Sequence, residues 1–334
     1  MTSTLHTTAR AMAAVGVLVA AGALAGPAGA SPAPAGDAAV HGAATSQAAQ
    51  EQVSAFWTAE RMRQATPLDL SDVSPGDVSP TDVARGAPET VPATPGDVSP
   101  QAFPEEGGPW TGGGEVVTTS GRVFFVWDGE PSFCSGNAVT SANHSTVLTA
   151  GHCVKLFGNW HTNWVFVPNY HDGQAPFGVW TAARTMATPQ WVASEDAIDY
   201  DIGAAVVNRL DGRRLTDVVG GQGLRFNSGY GKDVYAFGFP AGHQYDGEKL
   251  IYCSGRTTRD TQGTDDHGLL CDMTGGSSGG PWFERFDEAT GTGLQSSLTS
   301  FSYRGQHETK FGPYFGNVAK KFYHRAQSLH PHAG

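Results

Sequence analysis

The chain has 334 residues, which is room for one large domain or two ordinary ones with a substantial core. Charged residues are sparse at 16%, and the 44 glycines and 20 prolines suit a β-rich, loop-rich protein better than a helical one. A formal net charge of −11 argues against nucleic acid as a partner.

A short polar start ends at Arg10, and an apolar run follows from Ala11 to Ala25. The run has the length of a signal-peptide core and is too short to span a bilayer comfortably. Ala28-Gly29-Ala30 supplies small residues for cleavage. Residues 1–30 are therefore expected to be a signal peptide, with secretion to an oxidising extracellular place and no membrane anchor.

From Ser31 to about Glu106 the chain is rich in Ala, Pro, Ser and acids. Asp-Val-Ser-Pro recurs at Asp72–Pro75, Asp77–Pro80 and Asp97–Pro100, with a partial copy at Asp82-Val83. Each proline removes a donor and disfavours helix before it, and the composition offers little for a core. Gln47 to Gln64 is the exception. Val53, Phe56, Trp57 and Ala59 sit there at mixed helical spacing. Residues 31–114 read as a disordered pro-region removed after export, and a retained flexible linker is the competing reading.

The folded part is expected from Glu115. Val116–Thr119 and Arg122–Trp127 read as strands around Ser120-Gly121. Further short β-rich runs are Ala138–Thr140, Ser145–Ala150, Trp164–Val167, Ile202–Val207, Val234–Phe239, Leu250–Cys253 and Leu298–Tyr303, separated by Gly, Asn, Asp and Pro clusters. Many short strands with almost no helical pattern between them point to an all-β sandwich or barrel. Only the end reads as helix. Asn317 is placed to cap a segment with Val318, Phe322 and Ala326 on one face, and residues 327–334 remain as a tail.

Three pieces carry chemistry. In Gly275-Gly276-Ser277-Ser278-Gly279-Gly280-Pro281-Trp282, small residues let the backbone turn tightly, point its amides inward and present a hydroxyl. A Gly/Ser-rich surface loop is the plainer reading. Val147–Cys153 ends a strand in small residues and then presents the imidazole of His152, the side chain best suited to take a proton from a hydroxyl near neutral pH. Asp199-Tyr200-Asp201 places acids before an apolar strand, where a buried carboxylate can hold an imidazole's tautomer. Asp201 is preferred to Asp199 because it abuts the apolar run.

Thr149-Ala150-Gly151-His152-Cys153, Asp201-Ile202-Gly203 and Gly276-Ser277-Ser278-Gly279-Gly280-Pro281, in that order, resemble the trypsin/chymotrypsin superfamily of serine endopeptidases. The resemblance spans about Glu115 to Ala326. It implies two six-stranded antiparallel β-barrels with the active site between them: residues 115–218 as the first barrel, and 219–326 as the second with a C-terminal helix. It also implies Ser278 as nucleophile, His152 as general base then acid, Asp201 as orienting group, and the Gly276 and Ser278 N–H groups as oxyanion hole. Ser277 is the rival nucleophile, and the family pattern selects the serine before Gly-Gly-Pro. Ser277 stands where animal digestive members carry an aspartate, so activation through an N-terminal ion pair is not expected. Gly238-Phe239-Pro240 and Asp272–Ser278 look more like the secreted bacterial V8-like branch, whose members carry pro-segments.

Four cysteines allow three pairings. The resemblance implies Cys134 with Cys153, as in the family's histidine-loop bridge. Cys253 with Cys271 would brace the second barrel. No cysteine stands in the nucleophile loop, and no finger-like spacing supports zinc, so no metal and no cofactor are expected. In this superfamily the specificity pocket is walled by residues equivalent to Asp272–Gly275 and Thr299–Tyr303, so Asp272, Thr274, Ser300 and Phe301 are candidate substrate-binding residues. Asp272 stands where trypsin-like members bind Arg or Lys, and a buried structural acid is its other reading. Thr299-Ser300-Phe301-Ser302 lacks the histidine usual in glutamate-specific pockets. The expected partners are protein or peptide substrates, met by a monomer. A catalytically inactive homologue acting as a secreted binding protein is the alternative. An α/β-hydrolase esterase is disfavoured, because its triad order is Ser, Asp, His.

Overall fold

The computed structural model describes residues 36–79, 81–93 and 103–331. The expected signal peptide and the repeat copy at Asp97–Pro100 lie outside them.

The segment ahead of the barrels is folded over its described residues, which corrects the compositional reading that it offers little core. Strand β1 (Ala39–Gly42) is followed by helices α1 (Gln47–Phe56) and α2 (Ala59–Gln64). Two caps divide the helical patch. Ser46 accepts from Ala49 N–H to start α1, and Thr58, in extended conformation, accepts from Arg61 N–H to start α2. Trp57, at the break, is 4% exposed, donates its indole N–H to Asn163 O at 2.6 Å and lies against Phe124. Trp57, Met62 and Ala65 join Phe124, Phe133, Val165, Val167 and Tyr170 in one apolar cluster. A few large side chains suffice here because a barrel supplies the rest of the surface. Strands β2 (Thr66–Pro67), β3 (Leu70–Val73), β4 (Glu89–Val91) and β5 (Glu105–Pro109) follow.

Val116–Thr119, expected as a strand, belongs to a helical turn, α3 (Glu115–Thr119). The Thr118 and Thr119 hydroxyls donate back to Glu115 O at 3.1 and 2.8 Å, and Val116 is fully buried. Local side-chain bonds and burial override the β preference of the Val-Thr run.

The first barrel uses β6 (Ser120–Trp127), β7 (Glu130–Ala138), β8 (Thr146–Thr149), β9 (Thr162–Pro168), β10 (Trp180–Ala187) and β11 (Gly203–Val207). They pair antiparallel in the order β9-β6-β7-β8-β11-β10, and β10 pairs with β9 to close the ring. Asp128-Gly129, both at positive φ, make the tight β6–β7 turn. β10 is absent from the sequence-based strands because its Ala, Arg and Met content does not alternate.

The second half uses β12 (Gly223–Phe226), β13 (Asp233–Gly238), β14 (Ile251–Arg256), β15 (His267–Leu270), β16 (Pro281–Asp287), β17 (Thr292–Leu298), β18 (Phe301–Tyr303) and β19 (Thr309–Gly312). One sheet runs β4-β12-β17-β16-β13-β14-β5, and another runs β15-β19-β18-β3. The run Leu298–Tyr303, read as one strand, breaks at Thr299-Ser300 as the chain passes between sheets. Helix α4 (Asn317–Ser328) closes the chain, with Ala319, Phe322, Tyr323 and Ala326 in the core that includes the first barrel. Gly316, not Asn317, is its N-cap; Asn317 is the first helical residue, and its Oδ1 accepts from Asn227. Among the described residues no helix is long and apolar enough to cross a membrane.

Candidate active site

His152 follows the end of β8 in a tight turn. Asp201 follows the short helical turn Ile198–Tyr200 and precedes β11, which pairs with β8. That pairing brings the two residues together. Asp201 accepts the His152 backbone N–H at 2.7 Å and the ring Nδ1–H at 2.8 Å through different oxygens. The second oxygen also accepts from Ser300 Oγ at 2.5 Å. A Cβ on Gly151 would lie 2.9 Å from Asp201 Oδ1 and 2.9 Å from Trp191, so this approach needs glycine. All three partners are buried. With Nδ1–H committed to the carboxylate, Nε2 carries the free lone pair. That Nε2 is buried and has no hydrogen-bond partner among the described residues.

Asp199 points elsewhere. Its oxygens accept from Asp265 N–H at 2.6 Å and from the Thr81 hydroxyl. Behind His152, the imidazole of His161 stacks on Phe125 and its Nε2–H donates to His152 O at 2.8 Å. Burial pushes the His161 pKa down to about 4, so it stays a neutral prop near pH 7.

The Gly275–Pro281 loop lies against the same strand end. A Cβ on Gly279 would meet Thr149 Oγ1 at 2.2 Å and Ala150 N at 2.8 Å. Ser135 N–H donates to Ser278 O at 2.7 Å, and Ser135 Oγ donates to Gly276 O at 2.9 Å. The Ser277 hydroxyl is committed to Thr274 O at 2.7 Å. Ser278 is 1% exposed and His152 is 0% exposed.

The cover comes from the front segment. β2 pairs parallel with β7, and β3 pairs parallel with β18. Between them Leu68 donates its N–H to Phe133 O at 2.9 Å and accepts Gly276 N–H at 3.4 Å. Leu68 is 6% exposed. Residues 66–73 therefore form a strap over the cleft.

The chain is similar to the solved structure of protease Anisep from Arthrobacter nicotinovorans, with 42% identity and a TM-score of 0.59 over 64% of this chain and 96% of that one. The chain belongs to the trypsin/chymotrypsin-like serine proteases. It is a serine-type peptidase. The thermostable serine protease AL20 from an extremophilic microorganism is similar at 36% identity and TM-score 0.61, over 64% of this chain and 99% of that one. A Glu endopeptidase, at 16% identity and TM-score 0.55 over 67% of this chain and 98% of that one, shares the fold. No family model and no curated protein sequence matches the chain.

The cysteines of this serine protease are bridged as Cys134–Cys153 and Cys253–Cys271. His152 lies close to the first pair of sulfurs, but both are spent in the bridge, so this group offers no thiolate to a metal.

The expected pocket residues each have partners in the fold. Asp272 accepts from Tyr245 OH at 2.8 Å and from Gln244 Nε2 at 2.7 Å, and its N–H bonds Glu106 O at 2.8 Å. Both its oxygens are engaged away from Ser278. Thr274 carries the carbonyl that holds Ser277. Phe301 stacks on Phe311 and pairs with Leu70 of the strap. The Ser300 hydroxyl is committed to Asp201. Sequence reasoning missed Lys310, which lies on β19 beside β18 and is 4% exposed. It donates to Ser302 Oγ at 2.7 Å and His307 O at 3.2 Å. Nothing in Thr309-Lys310-Phe311-Gly312 marks a buried charge.

Proposed function

We propose that this serine protease is a secreted endopeptidase that works through a His152-Asp201-Ser278 triad and an acyl-enzyme, and that residues 66–73 keep it latent. The observation that carries the reading is the double grip of Asp201 on His152, which leaves a buried, unpartnered Nε2 as proton acceptor. Nε2 takes the Ser278 proton as Oγ bonds to the substrate's carbonyl carbon. The Gly276 and Ser278 N–H groups hold the oxyanion, and the same proton passes to the leaving amine as the C–N bond breaks. Water then repeats the sequence and releases the acid. The bond from Gly276 N–H to Leu68 O supports this hole, because a carbonyl already sits where an oxyanion would form. The committed hydroxyl of Ser277 favours Ser278 as nucleophile.

The direction of the strap supports latency. Protonation by His152 requires the leaving amine on the first-barrel side, where the Cys134–Cys153 bridge joins β7 to the histidine turn. The acyl part then faces β18. The strap runs the opposite way, from β7 to β18, so its peptide bonds meet Ser278 in reverse. The similar solved proteases are matched over 96% and 99% of their length but only 64% of this chain, which fits a removable extension. Two disulfides fit an oxidising, extracellular location.

The test is cleavage of a mixed peptide library by the released protein and its Ser278→Ala form. Wild type should cut, and the variant should lose activity by a factor on the order of 10⁶. No cleavage by the released wild type would favour the alternative of an inactive binding homologue.

A further inference from the structure

We propose that Lys310 is a specificity-determining residue, that it receives an acidic substrate side chain beside the oxyanion hole, and that Asp69 of the strap occupies that place in the latent chain. This rests on the serine-endopeptidase reading above.

The position of Asp69 comes from its neighbours. Leu68, just before it, has its carbonyl on Gly276 N–H, and Leu70, just after it, pairs with Phe301 of β18. A Cβ on Gly275 would lie 3.1 Å from Asp69 Cβ and 3.3 Å from Asp69 Oδ2. The Asp69 side chain therefore rests on the nucleophile loop, next to the residue that offers the oxyanion donor. A substrate side chain adjacent to the scissile carbonyl would rest on the same wall.

Lys310 supplies the charge on the other wall. Ser302, which takes its hydrogen bond, lies on β18 between the two strap-paired residues Phe301 and Tyr303. An ammonium has three donors, and Ser302 Oγ and His307 O take two of them. No carboxylate lies within ion-pair distance of Lys310 among the described residues. Burial pushes its pKa down, and the nearby charges of Asp69 and Asp272 push it back up. Asp272 is already bound by Tyr245 and Gln244, so Asp69 is the acid left to balance the ammonium from within the cleft. When the strap leaves, the cation keeps one donor to spare and loses the charge of Asp69. An incoming carboxylate satisfies both needs. A basic side chain would meet like charge at close range and is rejected.

Two measurements test this, and one does not depend on activity. In the full chain, Asp69→Asn, Lys310→Met and the double variant are unfolded in urea. The proposal expects the two substitutions to be coupled by about 5-fold or more in the unfolding equilibrium. Strictly additive effects would overturn it. The second measurement is the cut-site profile of the released protein. Wild type should cut after Asp or Glu. Lys310→Met should lose that preference by about 100-fold in kcat/KM relative to neutral residues, and Lys310→Arg should restore it. Cuts after Arg or Lys, or an unchanged profile in Lys310→Met, would overturn the proposal while leaving the endopeptidase reading intact. Absence of any cleavage by wild type would count against that reading, and the coupling measurement would still decide whether Lys310 and Asp69 interact.

Discussion

Val123, Phe125, Trp164 and Trp180 in the first barrel are each at most 1% exposed, and every strand of the ring has partners on both sides. Residues 36–79 and 81–93 are folded too, yet their buried side chains, Ala44, Trp57, Met62, Ala65, Leu68, Val78 and Val83, are spaced along a chain that is otherwise exposed or half-buried. A closed ring fails as a unit. Separate anchors can open locally, one at a time. The molecule thus joins a body, the closed ring, to a segment held at separate points.

The largest expected effect breaks the body. Arg122 is 1% exposed, pairs with Glu248 at 3.1 Å and sits 3.5 Å above the Phe133 ring. Burial lowers its pKa to about 10, still well above neutral, so it remains charged. Arg122→Ala takes the cation from Glu248, which keeps Tyr170 OH and Gly173 N–H as donors, and leaves a void among the rings. We expect a loss of about 3–5 kcal/mol in the main urea unfolding transition. A loss confined to the front segment, with the main transition unmoved, would contradict the division drawn here.

A smaller effect sharpens the seam between body and cover. Asp199 and Asp265 bind front-segment groups: Thr81 at the first, and Val83 N–H and Arg85 at the second. Asp266 is fully buried next to them. Burial pushes its pKa well above the usual range, and the charges of Asp199, Asp260 and Asp201 add to the shift. The folded chain therefore keeps this proton where the unfolded chain has lost it. The stability this proton contributes is complete below the unfolded carboxyl pKa of about 4 and declines as pH rises toward the folded value. Asp266→Asn should flatten that decline and leave the protein at least as stable as wild type near pH 8, read from urea midpoints at pH 5 and pH 8. An unchanged decline in the variant would show that the carboxyl is ionised in the fold.

Much of the site could be read from the order of its motifs. A histidine at a strand end and a serine in a glycine-rich loop have distinctive neighbours, and the two cysteine pairs stand as the resemblance implied. Asp201 is preferred to Asp199 because it abuts the apolar run, and in the structure Asp201 bonds His152 while Asp199 bonds Asp265. The bond from Ser300 to Asp201 was missed because the break after Leu298 turns its hydroxyl to that carboxylate, and a run of β-formers does not announce a break. Val116–Thr119 was misread because its helical turn is held by threonine back-bonds. The front segment was underestimated because its apolar residues use a barrel's surface instead of one another. Lys310 left no trace, since burial of a lone charge depends on strands distant in sequence.

The measurement that tests the account most directly is labelling by an active-site fluorophosphonate, followed over time in the intact chain and after limited proteolysis of the strap. The intact chain should label slowly or not at all. The cut chain should label at Ser278, and Ser278→Ala should never label. Equal labelling of intact and cut chains would contradict the cover, and label on any other residue would contradict the triad.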